Sequence, residues 1–155
     1  MDFEMLVEQA ASLDGWDFSV YGDRVQGGAT PWNYESLAAS AARGAISMLD
    51  MGTGGGEVLV DILEDVEGDA PPCITATEGW EPNVPVARAA LEPYGVTVVA
   101  SSDDAHLPLA DNQFDLVINS HEFYHAGEVV RVLAPGGMYL TQQIGGRDLA
   151  ELNAA

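Results

Sequence analysis

Four glycines in five positions, Gly52-Thr53-Gly54-Gly55-Gly56, constrain this chain more than any other stretch. Ahead of them Ala45, Ile46, Met48 and Leu49 read as a short buried strand. Behind them Val58, Leu59, Ile62, Leu63 and Val66 recur at helical spacing. The glycines therefore join a strand to a helix, the place where an open α/β sheet holds a nucleotide-like ligand. Glycine reaches backbone angles that other residues resist and lets a ligand lie against bare main chain. An ordinary strand-to-helix turn seldom needs four of them.

The spacing narrows the ligand. The dinucleotide fingerprint G-x-G-x-x-G starts at Gly52 but meets Glu57 where its third glycine belongs, and a start at Gly54 fails at Leu59. A nicotinamide-dependent oxidoreductase is weakened accordingly. With no Gly-Lys-Ser/Thr in the loop, a phosphate-cradling P-loop is excluded. The stretch instead spells Asp50-x-Gly52-x-Gly54-x-Gly56, which resembles the first motif of the class I S-adenosylmethionine-dependent methyltransferases. The resemblance implies that Asp50 faces the methionine ammonium and that Gly52, Thr53, Gly54 and Gly56 pass under the cofactor.

Later motifs fall in the order that this family shows. Cys73 to Thr77 reads as a second strand closing at Glu78, 22 positions beyond Gly56. An acid there accepts hydrogen bonds from a ribose in open parallel sheets. Gly79 and Trp80 would flank the adenine. Val96 to Ala100 is a third strand, leading to Asp104-Ala105-His106-Leu107-Pro108 and then Phe114-Asp115, which opens the fourth strand. This segment resembles the methyltransferases more specifically than the glycine loop does. It implies that Asp104 accepts from the adenine amino group and that Ala105 offers its amide to the ring. The fourth strand exits at Asn119, also assigned to the cofactor. His121 and Tyr124 follow on the side where acceptors meet the methyl group. A zinc site from His121, Glu122 and His125 lacks a third histidine and the H-E-x-x-H order, so no metal is expected. Val129, Val130, Val132 and Leu133 read as a helix that Pro135 stops. Arg131-Val132-Leu133-Ala134-Pro135-Gly136-Gly137 then turns into a fifth strand, Met138 to Gln143.

The resemblance, from about Leu49 to Ile144, implies a three-layer Rossmann-like α/β sandwich with parallel strands in the order 3-2-1-4-5, truncated after strand five. The implied function is methyl transfer from S-adenosylmethionine to a small molecule. The alternative is a module that holds the cofactor without catalysing.

Length and composition set the remaining bounds. With 155 residues, 47% of them hydrophobic, one domain is expected. Residues 1–44 would supply N-terminal helices and an aromatic loop (Trp16, Phe18, Tyr21, Trp32) packed on a cofactor-binding core of residues 45–155. Phe3, Leu6, Val7, Ala10 and Leu13 share the face of a first helix, and Tyr34 to Arg43 form a second. Net charge is -20, all five bases are arginine and lysine is absent. Such a surface repels nucleic acid and anionic membrane. It fits either a salt-rich cytoplasm or a GC-rich genome. Cys73 is the single cysteine, so no internal disulfide forms. An acidic N-terminus with no long apolar run places the chain in the cytoplasm. Strand five would form an apolar edge with no proline, lysine or charge before Arg147, inviting a homodimer.

Overall fold

The structure is a computed structural model that describes residues 3–11 and 30–146. Trp16, Phe18 and Tyr21, and the residues from Arg147 onward, lie outside the described residues. A single five-stranded sheet, all parallel, has the order β3-β2-β1-β4-β5 expected from the sequence. Its strands are β1 (Ser47–Met51), β2 (Cys73–Glu78), β3 (Thr97–Ala100), β4 (Phe114–Ser120) and β5 (Leu133–Gln142). The helices are α1 (Phe3–Ala11), α2 (Tyr34–Ala42), α3 (Glu57–Val66), α4 (Asn83–Leu91) and α5 (Ala126–Val132).

Two apolar layers follow from the period-2 alternation of the strands. On one face Met48, Ile74, Ala76, Leu116 and Ile118 pack against α2, α3 and α4 through Ala38, Ala39, Leu59, Ile62, Ala87 and Leu91. On the other, Leu49, Met51 and Val117 meet Val129 and Val132 of α5, with Leu107 and Phe114 closing the layer. Alanines dominate the buried side of α2, so it sits close on α3 and forms part of the same core as the strands. Asn33 caps α2 by accepting from the Ser36 amide at 2.7 Å. α1 forms where the periodicity places it, but Phe3 and Val7 of its apolar face are exposed.

Three boundaries depart from the sequence reading. Ile46 is 69% exposed and precedes β1, because the Ile46 and Ser47 amides both donate to the Asp115 carboxylate at 2.9 Å. The Phe-Asp pair thus ties the start of β1 to β4. Secondly, α5 ends at Val132, before Pro135, and Leu133 already pairs with Phe114. Ala134 to Gly137 then bulge out before Met138 pairs with Leu116. Gly136 takes a φ of 82° in that bulge, and a side chain on Gly137 would stand 3.0 Å from the Asp115 carbonyl. Pro-Gly-Gly is therefore a feature of the strand and not the stop of the helix. Thirdly, Val130 points outward and is 75% exposed, so α5 presents only Val129 and Val132 to the sheet.

Candidate functional site

The carboxyl ends of β1, β2 and β4 converge on the glycine loop. Gly52, Gly54 and Gly56 have φ of 67°, 63° and 97°, whereas Gly55 is not left-handed. The alternate glycines read from the sequence are thus the three that need to be glycine. Thr77 of β2 fixes the loop: its carbonyl accepts from the Thr53 amide at 2.8 Å and its hydroxyl from the Gly52 amide at 3.2 Å. Nothing local in the chain singles out Thr77, whose part depends on β1 and β2 pairing in register.

Around this loop stand carboxylates. Asp50 is 7% exposed, and burial pushes its carboxyl up to about 6; the Thr53 hydroxyl opposes this and Glu78 adds to it. Glu78, 5% exposed at the end of β2, accepts from the Trp80 amide through Oε1 at 2.7 Å. Trp80 itself is half exposed beside it, and a side chain on Gly79 would press on the Ser101 carbonyl at 3.0 Å. Asp104 is raised by burial and by its neighbour Asp103. Glu122, absent from the residues assigned by sequence, lies over the loop. A Cβ on Gly52 would overlap the Glu122 side chain and stand 2.6 Å from its Oε2. Burial, then Asp104 and Glu78, raise the Glu122 carboxyl.

The buried Tyr34 hydroxyl has no hydrogen-bond partner, while the Thr53 hydroxyl lies against the Asp50 carboxylate. Tyr34 is 4% exposed, and its hydroxyl is pushed up by burial and then by Asp50, which places it beside the end of β1. The sequence showed Tyr34 only as the start of a helix. Its position follows from α2 lying across β4.

Other assigned residues are brought near but engaged differently. The Ala105 amide donates to Asp103 Oδ1 at 2.9 Å, within its own turn, so it does not point freely at a ligand. Asp103 also pairs with His106 at 3.0 Å. Asn119 is fully buried and clamps the next loop: its Nδ2 donates to the Glu122 carbonyl and its Oδ1 accepts from the Glu122 amide, both at 3.1 Å. It positions Glu122, a contact that uses one of its two Nδ2–H groups. Tyr124 packs edge-on against Tyr139 at 5.3 Å. His121 is exposed with φ 69°, its amide donating to the Gln142 carbonyl. Among the described residues no three His, Cys, Asp or Glu side chains stand together as metal ligands.

Arg131 holds the turn of residues 107–111 in place. It donates to the Leu107 and Leu109 carbonyls, to Asp111 at 2.8 Å and to both oxygens of Glu128. Glu128 in turn accepts from the Leu107 amide, and chiefly through Arg131 its carboxyl falls to about 2. The arginine read as part of a turn motif is thus the staple between α5 and residues 107–111.

Residues 49–141 match the family described as the methyltransferase domain. This chain belongs to that family, within the class I S-adenosylmethionine-dependent methyltransferases. A malonyl-[acyl-carrier protein] O-methyltransferase of Geobacter sulfurreducens is 30% identical to this methyltransferase domain over 118 residues, 70% of the chain. The chain spans 42% of that relative's length. A solved S-adenosylmethionine-dependent methyltransferase of Aquifex aeolicus superposes with a TM-score of 0.56 at 22% identity, covering 83% of this chain and 67% of that one. A second, from Methanococcus maripaludis, gives 0.58 at 18% identity, with 78% and 60% covered. These likenesses establish the fold of the methyltransferase domain.

The residues present fit the cofactor of that family. S-adenosylmethionine is a sulfonium cation with an adenosine and an amino acid end. Carboxylates, the unpartnered buried hydroxyl of Tyr34 and a left-handed glycine turn suit all three parts.

Proposed function

We propose that this chain binds S-adenosylmethionine over the Gly52–Gly56 loop and directs its methyl group to a small-molecule acceptor. The observation that supports this reading is the gathering of Asp50, Glu78 and the unpartnered Tyr34 hydroxyl around one left-handed glycine turn. Asp50 holds the amino acid end, Glu78 the ribose and Asp104 the adenine amino group, with Trp80 along the ring. The sulfonium supplies its own leaving group. The protein therefore has to hold the acceptor in line with the methyl and keep water away. When bound, S-adenosylmethionine would supply the methyl group and a neutral thioether leaving group, and the acceptor's proton would pass to solvent.

A cleft of about 610 Å³ bounded by residues 30–35 and Gln142 opens beside Tyr34 and gives a small acceptor its approach. The acidic chain argues against nucleic acid and anionic membrane as acceptors. A cytoplasmic setting belongs to the same reading; among the described residues no helix is long and apolar enough to cross a membrane. The second reading, a module that holds the cofactor without turning it over, draws on Glu122 lying over Gly52. Incubation with methyl-labelled cofactor and a small-molecule extract separates the two. Label appearing in a small product supports the enzyme; cofactor binding with no label transferred supports the module.

A further inference from the structure

Glu122 is held over the glycine loop by design of the chain around it. Its amide and carbonyl are both fixed by Asn119, its carbonyl also accepts from Gln143 Nε2 at 3.2 Å, and its Oε1 accepts from the Phe123 amide at 3.1 Å. The side chain is thereby directed onto Gly52 from the β4 exit. Among the described residues the ion pairs join Arg43 to Asp65, Arg131 to Asp111 and Glu128, and His106 to Asp103. None reaches Asp50, Glu78, Asp104 or Glu122. Carboxylates drawn together with no cation beside them are costly unless a positive ligand completes the group. The unpartnered hydroxyl of Tyr34, on a residue 4% exposed, independently marks the surroundings of these carboxylates as built for a ligand.

We propose that Glu122 is the counter-ion that makes this cleft prefer the sulfonium form of the cofactor over its neutral thioether product. This rests on the proposed function. Under that assignment Asp50, Glu78 and Asp104 serve parts of the cofactor that methyl transfer leaves unchanged. Glu122 comes from the side where the acceptor approaches and is the carboxylate left for the one charge that disappears. Its side chain also covers Gly52 until a ligand moves it aside. Loss of the sulfonium charge on transfer then weakens the hold on the product and favours its exchange.

The test is calorimetric titration of the 155-residue chain with S-adenosylmethionine and with S-adenosylhomocysteine. A single charge contact in a partly screened cleft supports a preference on the order of tenfold. Glu122→Gln should erase most of that ratio by weakening the sulfonium form alone. Glu122→Ala, which also uncovers Gly52, should in addition tighten the thioether. Glu122→Asp should keep most of the ratio. Asp61→Asn, the same charge change on an exposed turn of α3, should leave it alone. An unchanged ratio in Glu122→Gln, or equal weakening of both ligands in all three Glu122 variants, overturns the counter-ion role while leaving the cofactor site standing. Failure of the wild type to bind either ligand overturns the cofactor site and the counter-ion with it.

Discussion

Replacing Asp50 by asparagine should stabilise the ligand-free protein at neutral pH while weakening its hold on the cofactor. Burial, the largest cause, raises the Asp50 carboxyl to about 6, with Glu78 adding to the effect. In the unfolded chain the same group titrates near ~3.9. Between those values the folded state binds more protons than the unfolded one, so stability falls as pH rises through that window. About two units at ~1.4 kcal/mol each put the cost of the ionised form near ~3 kcal/mol above the folded value, and near zero below ~4. Asparagine does not ionise and keeps the shape. Urea unfolding of wild type and Asp50→Asn at constant ionic strength, followed from acid to neutral pH, should show two stabilities that agree at low pH. They should part as pH rises, with the variant ahead by about 1–3 kcal/mol at neutrality. A difference that does not vary with pH, or a wild type more stable than the variant at neutrality, would refute the reasoning. The cost is tolerable only if the carboxylate does something when ionised; weaker binding of S-adenosylmethionine in the same variant is the matching observation.

Arg131→Ala should lower the urea midpoint, since it removes the partner of Glu128 and frees residues 107–111 from α5; an unchanged midpoint would show the staple to be ornamental. With net charge -20 and no lysine, the thermal midpoint should climb steeply between about 0.01 M and molar KCl, where the Debye length shrinks from ~30 to ~3 Å; a flat midpoint leaves genome composition as the origin of the acidity. β5 pairs only with β4 among the described strands, and Met138 and Ile144 are 53% and 63% exposed, so a homodimer through this edge is expected. Light scattering should show a dimer that Leu140→Lys disrupts, and a wild-type monomer at tens of micromolar would end that idea.

Much of the candidate site is legible in the sequence because it is local. Gly52, Gly54 and Gly56 announce their left-handed turns by being glycine, and Glu78 announces itself by closing a β-prone run. What stayed hidden are residues whose part depends on elements far apart in sequence. Tyr34 reaches Asp50 only because α2 crosses the sheet, and Thr77 ties the loop only in the observed β1–β2 register. In sequence Glu122 reads only as part of a metal-ligand set, and its place over the loop follows from Asn119 fixing its backbone. The misplaced helix end at Pro135 has a different cause. A helix-stopping pair and a strand bulge use the same Pro-Gly-Gly chemistry, and only pairing with Phe114 and Leu116 distinguishes them.

The most direct test of the central claim is calorimetric binding of S-adenosylhomocysteine to the wild-type chain, to Gly54→Val and to Glu78→Ala. The cleft described here requires one site per chain in the wild type. It requires no measurable binding in Gly54→Val, where side-chain atoms would occupy the ligand's side of the turn, and a loss of about 1.5–3 kcal/mol in Glu78→Ala. Equal affinity in all three proteins, or no binding to a folded wild type, would contradict it.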